Sequence, residues 1–384
     1  MYTQSDYFSQ FVHRSSLRFR VRLALLRQQQ RRSRLTIPAI TFTLDDYSDA
    51  DCIEKFRFTK ASLRRLSACL RIPSRVVTTE RTSCSGVEAL CVRFAVPDRW
   101  SGLISMLGRS QSGLCNIFLH VLDHIHNKFD EIIFLDRYRI SAQLVEYSNA
   151  IIAKGGEVQN VWAFIDGTVR ECCRPSGDER HRTVFNGHKR RHAVKFQSLV
   201  TPDGIISHAF GPIEGRRHVL TILRQSNLEN VLADDDRFAE FVVYGDPAYG
   251  YSNHLASPFG GARLTDAQRV VNKSMSRVRI SVEWSFGQVV RYWPIVDYKK
   301  KMRIGNSPIA KMYKVAVLLT NCITCDRDPQ SQQLPPLQHS YCITQRTPSQ
   351  HHHHGTCRLY NSRRHGNTNT DMQPPVVVAY FISK

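Results

Sequence analysis

The chain predicts an α/β fold in which a mixed sheet is flanked by helices and preceded by an all-helical region. Three observations carry that reading. Residues 161–165, 192–200 and 205–210 read as short strands, and Pro202-Asp203-Gly204 supplies a tight reversal between the last two. A helix from about His218 to Leu232, a strand over Phe241 to Tyr244 and a helix from about Asn272 to Arg291 then follow. The last of these places Met275, Val278, Val282, Phe286 and Val289 on one stripe at steps of three and four. Upstream, from Phe58 to about Phe129, the apolar residues keep helical spacing.

Composition narrows the partners. The chain of 384 residues carries 53 Lys and Arg against 33 Asp and Glu, a net charge of +20, which favours a polyanion such as nucleic acid. A basic tail on a neutral domain would give the same total. With 42 % hydrophobic residues and no long apolar run, no membrane role is expected. Eleven cysteines without regular spacing point to reduced thiols. Cys322-Ile323-Thr324-Cys325 reads as a buried helix end rather than half of a metal site, and His351 to His354 as a short histidine tract.

Residues 1–50 form a basic arm, expected to be disordered. Positions 7 to 44 contain no acid and carry eight arginines, from Arg14 to Arg34. Three readings fit it: contacts to DNA phosphates with import into the nucleus, a mitochondrial transit peptide, and a solvated tail. Residues 51–150 form the helical region. Thr59 is a good N-cap for a helix carrying Leu63, Leu66 and Leu70, which Pro73 stops. Ser85 begins a second helix, and Trp100 to Leu107 form a third short segment. Gly108-Arg109-Ser110-Gln111-Ser112 leads into a long helix with Leu114, Ile117, Phe118, Val121, Leu122 and Ile125 on one stripe. This is the outline of a helix-turn-helix, in which Arg109, Ser110, Gln111 and Ser112 would face the major groove. A bundle that only supports the next domain has the same outline. A connector with a helical stretch near Ile140 to Ile152 ends at Gly155-Gly156.

The central domain, 156–325, holds three carboxylates. Asp166 ends one apolar run and Asp246 another, while Glu283 lies on the flank of the buried stripe of the last helix. Acids at two strand ends and on a helix, with strands one to three antiparallel, make the ribonuclease-H-like plan. Hard carboxylate oxygens suit Mg²⁺ or Mn²⁺, and two such ions can promote phosphodiester cleavage. For Glu283 an exposed pair with Arg279, one turn earlier, is the competing reading. Gly187-His188-Lys189-Arg190-Arg191-His192 is a candidate contact to DNA backbone, or a solvated basic strand end.

The motifs Phe164-Ile165-Asp166-Gly167-Thr168, Asn186-Gly187-His188-Lys189-Arg190 and Lys195-Phe196-Gln197 occur in that order. Gly211-Pro212-Ile213-Glu214-Gly215-Arg216-Arg217-His218, Tyr244-Gly245-Asp246-Pro247-Ala248-Tyr249 and Val282-Glu283-Trp284-Ser285-Phe286-Gly287 follow. In order and spacing, over roughly residues 55 to 325, the chain resembles the nuclease domain of Harbinger-type DNA transposases, the DDE superfamily endonuclease group. The resemblance implies that Asp166, Asp246 and Glu283 ligate catalytic divalent metals, two Mg²⁺ or Mn²⁺. It also implies a DNA substrate, an N-terminal helix-turn-helix for transposon ends, and action in the nucleus. One position departs: the family usually has His-Asp where this chain has His218-Val219. Valine cannot bind a metal, so the departure bears on whether this copy is a nuclease or a binder descended from one. The sequence leaves open a separate DNA-binding partner protein and a homo-oligomer. Residues 326–384, rich in Gln, Pro, Ser, His and Asn without periodicity, are expected to be a disordered tail.

Overall fold

The computed structural model describes residues 36–95, 100–297, 302–304 and 307–327, together with Val21. Most of the basic arm, the tail from residue 328 and the histidine tract lie outside the described residues.

The N-terminal region is built from capped helices. Ser48 caps α1 (Asp49–Phe56), Thr59 caps α2 (Lys60–Cys69), and Ser85 caps α3 (Gly86–Phe94), each side-chain oxygen accepting a backbone N–H of the first turn. A two-stranded ribbon of β1 (Arg75–Val77) and β2 (Ser83–Ser85) separates α2 from α3. Helices α4 (Trp100–Leu107) and α5 (Gln111–Phe129) follow. Gly108 joins them at φ +60°, where a Cβ would stand 2.4 Å from the carbonyl oxygen of Ile40, so the turn admits no side chain. The α5 stripe from Leu114 to Phe129 is buried. Helices α6 (Arg137–Ser141) and α7 (Leu144–Ala153) complete the region.

The sheet begins with β3 (Val161–Glu171), longer than the run Val161 to Ile165 suggests. Its antiparallel neighbour β5 (Arg191–Val200) pairs on the far side with β6 (Ile206–Glu214). On the other edge, β7 (Val242–Tyr244) runs parallel to β3, and β8 (Leu255–Ala256) parallel to β7. The polar stretch 170–191 folds into α8 (Asp178–Val184) and β4 (Phe185–Asn186), the latter paired with the start of β5. Between β5 and β6, Gly204 takes φ +80° and Asp203 accepts hydrogen bonds from Thr201 Oγ1 and the N–H of Ile205. The helix expected over His218 to Leu232 is two helices, α9 (Val219–Ser226) and α10 (Leu228–Ala233), broken at Asn227 with φ +55°. Asparagine tolerates that left-handed conformation better than most residues. Helix α11 (Asp266–Tyr292) starts six residues earlier than the apolar stripe suggests, because Thr265 and Gln268 form a reciprocal capping box. Helix α12 (Ile309–Arg327) is locked to β6 by Asn321, whose side chain both donates to and accepts from the backbone of Ile206, each at 3.0 Å.

Alternation along the strands divides the side chains between two layers. Phe164, Phe196, Val200 and Ala209 join a core with α5, α11 and α12, while Ile165, Leu199 and Val243 join one with α6, α7, α9 and α10. The first core runs without a break from Phe56 in the N-terminal region to Ile323 in α12. The helical region therefore shares its core with the sheet domain instead of hanging from it. No described helix is long and apolar enough to cross a membrane. Cys322 and Cys325 are buried inside α12, and burial pushes the Cys322 thiol well above its ordinary value.

One core residue makes folding pH-dependent. His208 on β6 is wholly buried beside Phe134 and Phe210, and neither ring nitrogen has a hydrogen-bond partner. Burial, and then the nearby Lys314, pull its pKa down to about 3. The unfolded chain would protonate it near 6.5, so its contribution is fully present above that pH and falls as pH drops from there toward 3. A slope of at most about 1.4 kcal/mol per pH unit is expected in this window. Denaturant melts at pH 7 and pH 5 should show the loss, and His208→Phe should flatten it.

Candidate active site

Residues 164 and 244 are paired neighbours on parallel strands β3 and β7, and each strand leads two residues on to an acid. Asp166, midway along the interior strand β3, and Asp246, just past the end of β7, thus adjoin each other. Each carboxylate has one oxygen fixed by local backbone: Asp166 Oδ1 accepts the N–H of Gly167 at 2.7 Å, and Asp246 Oδ1 that of Ala248 at 3.0 Å. Gly245 before Asp246 has no room for a side chain, since a Cβ would meet the Tyr249 ring at 2.8 Å and Ile165 at 3.0 Å. The packing of the two strands therefore sets the spacing of the acids.

Helix α11 crosses beside them. The guanidinium of Arg279 donates to Asp166 Oδ2 at 3.0 Å and lies 3.8 Å from Glu283 Oε1. Glu283 makes the pair with Arg279 one turn away, and that arginine also reaches Asp166. Its side chain is 59 % exposed, against 16 % for Asp166. Among the described residues, no three His, Cys, Asp or Glu side chains already form an ion-holding cluster. Asp166 and Asp246 are brought together directly, and Glu283 through the guanidinium.

Burial raises the Asp166 pKa above the ordinary carboxylate value; Arg279 and the Gly167 N–H pull it back, and the charge of Asp246 adds to the rise. Tyr249 stands against the same acids. Burial, then Asp166 and Asp246, push its hydroxyl well above the ordinary phenol value, and that buried hydroxyl has no hydrogen-bond partner. Two adjoining carboxylates, a guanidinium between the acids and an unpartnered hydroxyl make a site in want of positive charge and of hydrogen-bonding oxygen. Hydrated divalent cations supply both, so the donor set fits them.

The full roles of two of these residues are not visible in the sequence. Arg279 was legible only as a partner of Glu283, and its reach to Asp166 depends on how α11 crosses β3. Tyr249 lay within a quoted motif, but nothing in the spacing marked its hydroxyl. On the opposite flank, Val219 opens α9 after the N-cap His218, whose ring accepts the Leu220 N–H. Its Cγ2 would lie 3.8 Å from a Cβ on Gly167, so residue 219 sits against the backbone beside Asp166.

The other candidates fall elsewhere. His188, Lys189 and Arg190 are exposed on the β4–β5 turn, while Arg191 is paired with Glu171. The strand register puts Glu171 five residues beyond Asp166, or about 16 Å along the sheet. Arg109 is held by the buried Glu88, with one bond at 3.0 Å, and Ser110 caps α5 by accepting the N–H of Gly113. Both residues brace the turn between α4 and α5, leaving Gln111 and Ser112 as the exposed pair.

Strand order β6-β5-β3-β7-β8, three antiparallel and two parallel, with one acid midway along β3 rather than at its end and the other just past the end of β7, defines a ribonuclease-H-like domain of the carboxylate class. The comparison with known families agrees: residues 165–321 match the model of the DDE superfamily endonucleases. No curated protein and no solved structure gives a significant match.

Proposed function

We propose that the chain is a divalent-metal-dependent DNA endonuclease of the Harbinger transposase type, acting on nuclear DNA. The observation that carries this reading is the convergence of Asp166 and Asp246 on adjoining strands, with Arg279 tying Glu283 to them. Asp166, Asp246 and Glu283 would hold the ions. When bound, two Mg²⁺ or Mn²⁺ supply an activated water and charge stabilisation on the leaving oxygen. Asp166 and Asp246 contribute carboxylates fixed by backbone N–H groups, so little reorganisation is needed to use them. Arg279 is a positioning residue that favours the ionised form of Asp166 and keeps Glu283 near. Hydrolysis breaks a P–O bond and leaves a 3′-hydroxyl, which in a transposase then attacks a phosphodiester of the target strand. Nicking of supercoiled DNA by the full chain in Mg²⁺ tests the reading.

Val219 favours a second reading, a DNA-binding protein descended from such an enzyme. The residue lies against Gly167, where a carboxylate would add to the acidic site. Val219→Asp separates the two. If the chain is already a nuclease, nicking should change little. Cleavage that appears only in Val219→Asp would assign this copy to the second class.

A further inference from the structure

The flank of α11 turned away from the acids carries a pocket that the cleavage chemistry does not use. It has a volume of about 370 Å³ and lies between α7, β3 and α11. Ile151, Phe164 and Val278 give it apolar walls, Trp284 forms part of its lining, and Lys154 and Arg277 are its two cations. Trp284 is 71 % exposed, an unusual state for the largest apolar side chain. No carboxylate lines the pocket, and neither Lys154 nor Arg277 is paired with one among the described residues.

We propose that this pocket takes one unpaired nucleobase of the DNA strand, stacked on Trp284, with the adjoining phosphates on Arg277 and Lys154. The inference rests on the nuclease reading for its substrate and adds where a strand leaves the duplex. Apolar walls with an exposed indole suit the flat face of a base, and stacking of this kind tolerates any base. Two unpaired cations at the same opening suit the charge that every nucleotide carries. The volume admits one ring system and no duplex, so the base must be out of its stack. A protein partner fits less well. The exposed apolar side chains nearby are Trp284, Ile280 and, further along α7, Val145, well short of the roughly 800 Å² a stable interface covers on each partner. Trp284 follows Glu283 directly, and successive helical residues diverge by about 100° around the axis. The base would therefore sit roughly a quarter turn round α11 from Glu283.

The experiment is a binding titration of the full chain in EDTA, read by anisotropy of labelled DNA and by tryptophan fluorescence. The probes are a blunt duplex and the same duplex with a short unpaired 3′ extension. The extended duplex should bind about tenfold more tightly than the blunt one and quench the fluorescence. Trp284→Ala should lose that preference with unchanged circular dichroism, Trp284→Phe should keep most of it, and Lys154→Gln with Arg277→Gln should weaken binding of the extended duplex. Equal binding of both probes by the wild-type chain overturns the proposal. So does a folded Trp284→Ala chain that keeps the preference, which would leave the pocket to a protein partner. Because no metal is present, the nuclease reading is judged separately. Mg²⁺-dependent nicking without a Trp284-dependent preference refutes the pocket alone, and a Trp284-dependent preference without nicking refutes the nuclease alone.

Discussion

Asp246→Ala should abolish Mg²⁺-dependent nicking of supercoiled DNA, with a loss of about 10³-fold or more, while the chain stays folded. Asp246 follows the last residue of β7 by two positions and is half-buried outside the packed core, so its removal leaves the core untouched. Its loss also relieves the charge that raises the Asp166 pKa. The remaining acid would be more strongly committed to Arg279, and a weaker ligand for any ion. Asp166→Asn should be as damaging for a different reason, since it removes the charge and leaves one acceptor oxygen for the two donors, the Gly167 N–H and Arg279, that Asp166 now serves. Residual nicking above about a tenth of wild type in either variant would show that the acids are not the catalytic ligands. Circular dichroism and a melting curve matching wild type are needed beside the assay.

Trp293→Ala should cost about 3–5 kcal/mol, a large share of the 5–15 kcal/mol typical of a domain. Trp293 follows α11, is 2 % exposed, and donates its indole N–H to Thr320 on α12 at 3.1 Å. From the N-terminal region, Phe94 packs on it at 5.6 Å between ring centres, and the guanidiniums of Arg57 and Arg93 lie 4.9 and 5.5 Å from its centre. Arg93 is wholly buried between Trp293 and Phe118 without a hydrogen-bond partner, and burial, then Arg57, pull its pKa down to about 9. Removing the ring takes away a face on which that charge rests, beyond the cavity itself. Because one core spans both regions, urea melts should show a single transition displaced as a whole. Two transitions, of which the variant shifts one, would mean that helices and sheet fold separately.

The elements that could be read from the sequence are those whose signal is local. Ser85 and Thr59 cap helices where they stand, the stripe from Leu114 to Phe129 is buried as its spacing demands, and Pro202-Asp203-Gly204 turns the chain. Elements were missed where the signal was thin or the code longer-ranged. The ribbon β1–β2 buries only Val76 and Cys84, too few for an alternation to show. Helix α8 sits in a polar stretch and buries only Val184. The first turns of α11 are exposed, so the apolar stripe began late while the Thr265 and Gln268 box marked the true start. At the site, Asp166 and Asp246 were legible because each ends an apolar run. Arg279 as the link among the acids was not, because that contact spans 113 positions and exists only once α11 has crossed the sheet. The shared core was hidden for the same reason: no local pattern says which stripe meets which.

The central claim, that Asp166, Asp246 and Glu283 together bind divalent cations, is tested most directly by Mn²⁺ titration of the full chain, following the resonance of the free ion. Two bound ions are predicted, with affinity falling at least about tenfold in Asp166→Asn and in Asp246→Asn, and measurably in Glu283→Gln. Equal Mn²⁺ binding by the wild type and a folded chain carrying all three substitutions would contradict it.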